Sequence, residues 1–357
     1  MVTSVFNTTQ LFGKETSPHK VDCLVTGVTG LVGNNVARLL LNRGLSVRGL
    51  VRQHGQGSTR ALDGLSLETV TGTFESEQAL QHAVNGATYV IHAAAMVHLG
   101  RRHMAEMRRI NVDGTRLIAQ AARRTGARLI HVSSVDALGL RADGTPADEE
   151  TTKGGLLECP YVLTKREAEM AVLEEVSRGL DAVIVNPVYM IGPWDWKPSS
   201  GRMLLEVGNG WGRFAPPGSN DFVDVRDVAT GIFSAMQCGQ TGRRYILGGH
   251  SLSYLEAWRT FARVAGRMQP LGNALPAVVQ TAGWFGDLAG LFFRHELPVN
   301  SAAAEMSMLP HHFSYARAQA ELGYAFRPFE TTVQDAWNWF LDYGYARSMR
   351  GRPVLAR

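Results

Sequence analysis

The feature that most limits what this 357-residue chain can fold into is a short apolar run that enters a glycine-rich turn and leaves it as a helix. Val21–Thr26 is almost continuously apolar, as a strand buried on both faces must be. It runs into Thr26-Gly27-Val28-Thr29-Gly30-Leu31-Val32-Gly33, and residues 33–43 then carry Val36, Leu39 and Leu40 on one helical face. The three glycines have separate tasks. Gly27 permits a tight turn, Gly30 lets a pyrophosphate approach the backbone, and Gly33 lets helix and strand pack closely. The helix N-terminus adds amide donors and the positive end of its dipole. The spacing G-x-x-G-x-x-G is one residue longer than the common dinucleotide fingerprint, but the strand before it and the helix after it supply the required context.

The same alternation continues. Residues 46–51, 67–70, 88–92, 128–132 and 182–185 read as strands, and 104–124 and 161–177 as helices between them. Strands alternating with helices, joined by right-handed crossovers, predict a doubly wound parallel α/β sheet of the Rossmann type. The expected organisation is a loose leader over 1–19, a dinucleotide-binding core over 20–190 with a returning strand near 243–248, and a tail over 346–357. A smaller, mainly helical substrate lobe takes 191–242 and 249–345. The stretch 191–220, rich in Gly, Pro and Trp, reads as irregular binding loops. At 45% apolar and 19% charged the composition is that of a globular protein, and a net charge of +4 does not call for nucleic acid. Cys23, Cys159 and Cys238 fit neither a disulfide scaffold nor a zinc knuckle, which favours a reducing, cytoplasmic setting.

The second strand ends Val51-Arg52, with no acidic residue to receive a ribose 2′-hydroxyl. An arginine there suits a 2′-phosphate, so NADP(H) is the expected cofactor and NAD(H) the alternative. Further on, Tyr161 and Lys165 stand at i and i+4 on one helical face. A neighbouring ammonium favours the phenolate, which would let Tyr161 act as general acid or base. Alone, this spacing also fits an ordinary amphipathic helix. It gains meaning downstream of a strand that ends Ser133-Ser134, where Ser134 would polarise a substrate oxygen.

Together the loop, the serine and the Tyr/Lys pair resemble the extended short-chain dehydrogenases/reductases of the NAD-dependent epimerase/dehydratase group, over roughly residues 20–345. Asn111-Val112-Asp113-Gly114-Thr115 is similar to that group's N-V-x-G-T segment, and Phe222-Val223-Asp224-Val225-Arg226-Asp227-Val228-Ala229 to its F-V-x-V-x-D-V-A signature. Asn186-Pro187-Val188 with Ile191-Gly192-Pro193 resembles the segment beside the nicotinamide. Gly192-Pro193-Trp194-Asp195 and Glu321-Leu322-Gly323-Tyr324 resemble dihydroflavonol reductases, 3β-hydroxysteroid dehydrogenases and hopanoid-associated sugar epimerases.

The resemblance implies a catalytic triad of Ser134, Tyr161 and Lys165, with Lys165 also on the nicotinamide ribose. It places Ser133, His92, Ala93, Ala94, Ala95 and Asn111 along the cofactor cleft and Pro187 and Val188 against the nicotinamide. Thr73 and Phe74 fall beside the adenine, where the group often carries an acidic residue. Asn220-Asp221-Phe222 stands where nucleotide-sugar epimerases often have Arg-Asp-Phe, with Arg202 and Arg213 as available substitutes. The implied activity is an NADP(H)-dependent carbonyl reductase or alcohol dehydrogenase. Trp194, Trp196 and Trp211 suggest a bulky or planar apolar substrate, although tryptophan equally serves a lobe core. The pocket is expected from residues 96–99, 134–138 and 189–203 together with the lobe. The alternatives are a nucleotide-sugar epimerase or dehydratase that retains NAD(P), and a non-catalytic NADP-binding regulator. A homodimer through a four-helix contact of 104–124 and 161–177 is also implied.

Other signals read more plainly. His98 and His103, five apart, and the adjacent His311-His312 do not make a metal site. Residues 148–150 (Asp-Glu-Glu) read as a solvated loop. Arginines at 101, 102, 108, 109, 116, 123 and 124 read as a solvated stripe or a subunit interface. Cys159 has no activating partner. Residues 274–293 are the most membrane-like stretch, but Pro276, Gln280, Asp287 and three glycines argue for a helix pair buried in or docked on the lobe, with membrane-surface contact as the alternative.

Overall fold

In the computed structural model Val21–Thr26 (β1) is an inner strand of a seven-stranded sheet. The structure describes residues 20–52, 60–74, 76–100, 102–151, 154, 155, 158–293, 297 and 299–347. The strands that follow in the chain are Val47–Val51 (β2), Glu68–Thr71 (β3), Ala87–His92 (β4), Arg128–Val132 (β5) and Ala182–Pro187 (β6). Tyr189–Ile191 (β7), Phe214–Ala215 (β8), Ser219–Asp224 (β9), Arg244–Leu247 (β10), His250–Ser253 (β11) and Gly272–Asn273 (β12) complete the set. The large sheet runs β10-β6-β5-β4-β1-β2-β3, and every pairing in it is parallel. Its strand order reverses between β1 and β4, which opens a crevice at their carboxyl ends.

Both faces of the sheet are covered, which is why its strands read as apolar runs. Cys23 and Val25 of β1 face one layer, built from Leu31–Asn42 (α1) and Val225–Cys238 (α7). Val21 and Leu24 face the other, built from Glu77–Val84 (α2), Gly114–Thr125 (α4) and Pro160–Ser177 (α5). A short helix, Met104–Met107 (α3), enters α4 through a π-turn over Arg108–Asp113.

Two surface readings gain detail. Arginine 101 lies outside the described residues, and the solvent-facing Arg108, Arg116 and Arg123 are also paired. They reach across from the π-turn and α4 to Glu167, Glu174 and Glu175 of α5, at 2.7, 2.5 and 2.8 Å. Exposed pairs contribute only about 0–1 kcal/mol each, but this ladder fixes the helix that carries Tyr161. Within residues 148–150, Glu149 is buried. Its carboxylate accepts the Ile246 N–H of the edge strand β10 at 3.0 Å and faces Arg317. It closes a sheet edge that would otherwise present an unpaired donor.

The lobe is mainly helical, with short strands added. Gly201–Gly208 (α6) and part of a three-stranded sheet, β11-β9-β7, occupy or border the stretch read as irregular. Phe222 of β9 packs with Phe261 of Tyr254–Ala265 (α8) and with Val333 and Phe340 of Phe329–Asp342 (α12). Sequence pattern missed β9 because Ser219, Asn220 and Asp221 hide its apolar half. Pro276–Phe293 (α9), Ser301–Met306 (α10) and Ala316–Leu322 (α11) complete the helices. Among the described residues no helix is long and apolar enough to cross a membrane.

Candidate active site

The site lies where β1, β4, β5 and β6 end. Gly27 has φ +70°, and a Cβ there would lie 2.8 Å from the Ala94 nitrogen and 2.9 Å from the Ala93 carbonyl, so turn and close approach both require glycine. A Cβ at Gly33 would fall 2.3 Å from the Gly27 oxygen, so helix and loop touch through backbone. Gly30 is exposed and caps α1 without a side-chain bond, and the first turn holds no acid. This leaves Leu31, Val32 and Gly33 to present amides from a twelve-residue helix, with Thr29 alongside. These residues fit a dinucleotide pyrophosphate. Arg52 follows β2 directly and is exposed.

Neighbouring residues mostly brace this loop. Thr26 Oγ1 lies 2.7 Å from His92 Nδ1 and accepts the Ala94 N–H at 3.3 Å. His92 Nε2 is 2.9 Å from Thr115 Oγ1, so the fully buried imidazole is engaged on both nitrogens. Burial, and then the Lys165 charge, push its pKa down to about 3. His92 therefore serves the cleft as a neutral brace between strands. Ala93, Ala94 and Ala95 follow it, half-buried. Thr73 is exposed, whereas Phe74 packs edge-on against His92 with centroids 5.6 Å apart. Asn111, inside the π-turn, clamps the backbone of Met96 in both directions, at 2.7 and 2.9 Å, and donates to Thr164 at 3.2 Å.

Three side chains converge beyond the loop. Ser134 lies close enough to Tyr161 for its hydroxyl to favour the phenolate. Ser134 Oγ itself donates to Asp136 Oδ2 at 3.1 Å and accepts the Asp136 N–H at 3.2 Å. Lys165 donates from Nζ to the Val132 carbonyl at 3.2 Å. Burial pushes the lysine pKa down to about 8, although Glu169 and Asp136 oppose the change. The tyrosine behaves differently from the expectation that Lys165 would lower its pKa. Burial, with the Asp136 carboxylate second, holds Tyr161 well above its ordinary value, while Ser134 pulls the other way. With Lys165 turned to Val132, the phenol stays protonated and is a proton donor.

Asp136 and Glu169 were not singled out in the sequence, and Asn186 was read only as part of the segment beside the nicotinamide. Asn186, fully buried, donates to the Ser134 carbonyl at 2.8 Å and to Glu169 at 2.6 Å, and Glu169 accepts from Arg244 at 2.6 Å. The network holds the serine's backbone from beneath. Glu169 continues the i, i+4 line of Tyr161 and Lys165 along α5, a spacing that offered one clue. Ser133 donates its N–H to Val185 at 2.8 Å and buries a hydroxyl without a partner among the described residues. Val188 is buried beside Pro187 at the end of β6. Cys159 packs near Tyr161, and burial raises its thiol pKa, which makes it inert.

Trp194 and Trp196 do not form a ligand wall. They pack tilted or edge-on against Trp339 and Tyr343, and the Arg38 guanidinium sits 3.3 Å over Trp194. An apolar cavity lies elsewhere in the lobe. It has a volume of about 750 Å³ and is lined by residues that include Phe214, Leu275, Val278, Val299 and Ala304. Val299 precedes Asn300, which donates to the Leu99 carbonyl at 2.8 Å, and the same loop places Met96 against the Tyr161 cluster.

Residues 23–248 match the model of the NAD dependent epimerase/dehydratase family. The chain is 33% identical to "Sterol demethylase protein B" of Methylococcus capsulatus over 90% of this chain and 98% of that protein. It is also 33% identical to a "Putative dihydroflavonol 4-reductase" of Synechocystis, over 92% and 97%. Among solved structures, that of gox2253 superposes with a TM-score of 0.79 at 34% identity, covering 92% of this chain and all of that one.

Proposed function

The chain belongs to the NAD dependent epimerase/dehydratase family, and from that premise we propose that it is an NADP(H)-dependent carbonyl reductase or alcohol dehydrogenase acting on a bulky apolar substrate. The observation that carries this reading is the convergence of buried Ser134, Tyr161 and Lys165 at the sheet's carboxyl edge, where burial favours the protonated phenol. When bound, the nicotinamide cofactor supplies or accepts hydride. Tyr161 gives the substrate oxygen its proton in reduction. Ser134 turns its hydroxyl from Asp136 to that oxygen and stabilises the charge growing there. Lys165 lies one turn along α5, where its ammonium suits a ribose hydroxyl. Arg52 is assigned to the 2′-phosphate.

The apolar cavity and the likeness to a sterol-modifying protein support a lipid-like substrate. The nucleotide-sugar reading has less support, because Arg202 is tied to Glu206 at 2.8 Å and Asn220 to Tyr254 at 3.2 Å. A two-fold contact through α4 and α5 would cover Met170, which is exposed on the latter.

The test is turnover on a panel of polycyclic and long-chain ketones. NADPH should be consumed one for one with alcohol formed, in preference to NADH. Arg52→Ala should weaken NADPH binding about tenfold or more, from the loss of a charged hydrogen bond, and leave NADH nearly unchanged. Redox-neutral conversion with cofactor retained through purification would favour an epimerase instead.

A further inference from the structure

Helix α9 is built inside out. Where burial is described, its three buried positions are Gly283, Gly286 and Gly290. A Cβ at Gly286 would fall 1.8 Å from the Val299 oxygen, and one at Gly283 would lie 3.0 Å from the Asn300 oxygen. The helix thus rests on residues 299–304 through its backbone, and Asp287 pins that face by accepting the Ser301 N–H at 3.3 Å. Its bulk points the other way: Trp284, Phe285 and Phe292 are 75%, 67% and 87% exposed, with Leu288 beside them. A helix docked for stability buries its large side chains, and contiguous exposed apolar surface of this kind marks an interaction face.

The face extends past the helix. Strand β12 pairs with β8, and Leu271 donates its N–H to the Arg213 carbonyl at 2.9 Å. That pairing sets exposed Met268, Leu271 and Leu275 beside exposed Phe214 and Trp211. Arg213 is exposed within the same patch and Arg259 is exposed on α8, while exposed Glu305 lines a groove beside Trp284. Leu275 and Val278 belong both to this surface and to the wall of the cavity beneath it.

We propose that α9 and the 268–275 segment dock on the surface of an anionic phospholipid bilayer, with α9 lying in the interface and the cavity opening towards the lipid. A bilayer fits better than a second copy because exposed aromatic and aliphatic side chains stand beside exposed Arg213 at the wall of an apolar cavity, a combination suited to the boundary between acyl chains and anionic headgroups. The helix is about 27 Å long at 1.5 Å per residue, but its glycine face stays packed on the lobe, so it lies on the membrane and does not span it. Apolar side chains gain by leaving water for the acyl boundary, and arginines gain from the anionic headgroups. The proposal is independent of the reaction assigned above.

Flotation of the full chain with phosphatidylglycerol/phosphatidylcholine vesicles tests it without any substrate. The protein should float with the anionic vesicles, less with phosphatidylcholine alone, and less as salt rises. The triple variant Trp284→Ser/Phe285→Ser/Phe292→Ser changes only exposed side chains. It should bind vesicles at least about tenfold more weakly while keeping its circular dichroism and NADPH affinity. A single variant, Phe292→Ser, guards against misfolding of the triple and should show a smaller loss. Absence of flotation, undiminished flotation of the variants, or equal binding to neutral vesicles would overturn the proposal. So would a wild-type dimer in sedimentation velocity that the triple variant dissociates, because a second copy would then be the occupant.

Discussion

Two helices of eighteen residues, each opening on a proline, contradict ordinary burial in opposite ways. Helix α5 buries Lys165, Glu169 and Glu175, while α9 exposes Trp284, Phe285 and Phe292. Ionisable groups are rarely buried unless partnered, and large aromatics are rarely left out unless something covers them. In α5 each buried charge has a counterpart: Val132 and Glu169 for Lys165, Arg244 for Glu169, Arg123 and Arg178 for Glu175. In α9 the exposed aromatics Trp284, Phe285 and Phe292 have none of comparable kind among the described residues. The comparison assigns α5 to chemistry and α9 to contact with something outside the chain.

The largest effect should come from breaking α5. Lys165→Met should lower turnover by a factor of about 10²–10⁴, the usual range for loss of acid–base assistance, and weaken NADPH binding measured by calorimetry. Vesicle binding should not change. The α9 triple variant should show the converse with a water-soluble ketone. If Lys165→Met and the α9 variant damage the same property, the division of labour between the helices is wrong.

A smaller effect is expected at Asp136. Its carboxylate helps hold Tyr161 above its ordinary pKa, so Asp136→Asn should favour the phenolate. The basic limb of the pH profile for reduction should then move to lower pH, with the fold unchanged. A limb that stays in place would show that Asp136 only positions Ser134.

The smallest effect concerns stability. Burial depresses the Lys165 pKa from 10.5 to about 8 in the cofactor-free protein. Between those values the unfolded chain binds more protons than the folded one, so this group's contribution to stability rises with pH. Below about 8 the folded protein carries the full desolvation cost. Lys165→Met removes it, so the variant should exceed wild type in Tm most at pH 7, with the gap narrowing towards pH 10 in thermal melts. A constant gap would place the ammonium in a better solvated site.

How much of this was legible in the sequence follows from the range of the interactions. Strand β1, the glycine loop and α1 are local, and the loop's glycines are set by contacts within a few residues or by one neighbouring strand end. The Tyr161/Lys165 pair is also local, and Ser134 was reached through its strand. The support beneath them was not. Asn186 meets Ser134 across 52 positions, and Arg244 meets Glu169 across 75. No periodicity reports such pairs. Arginines 108, 116 and 123 looked unpaired because their glutamates lie on another helix. For α9, hydrophobicity spread around the helix hid its orientation, and only the close approach at Gly286 shows which face is packed.

The central claim is that Tyr161, kept protonated by its buried site, delivers the proton to the substrate oxygen. Single-turnover hydride transfer under saturating NADPH, with a ketone found by the panel, measures this step apart from cofactor binding and product release. Tyr161→Phe keeps the ring and removes only the transferable proton. The account predicts a rate about 10²–10⁴-fold below wild type, with NADPH affinity preserved. A near-normal rate in that variant would contradict it and would return α5 to the role of a packing helix.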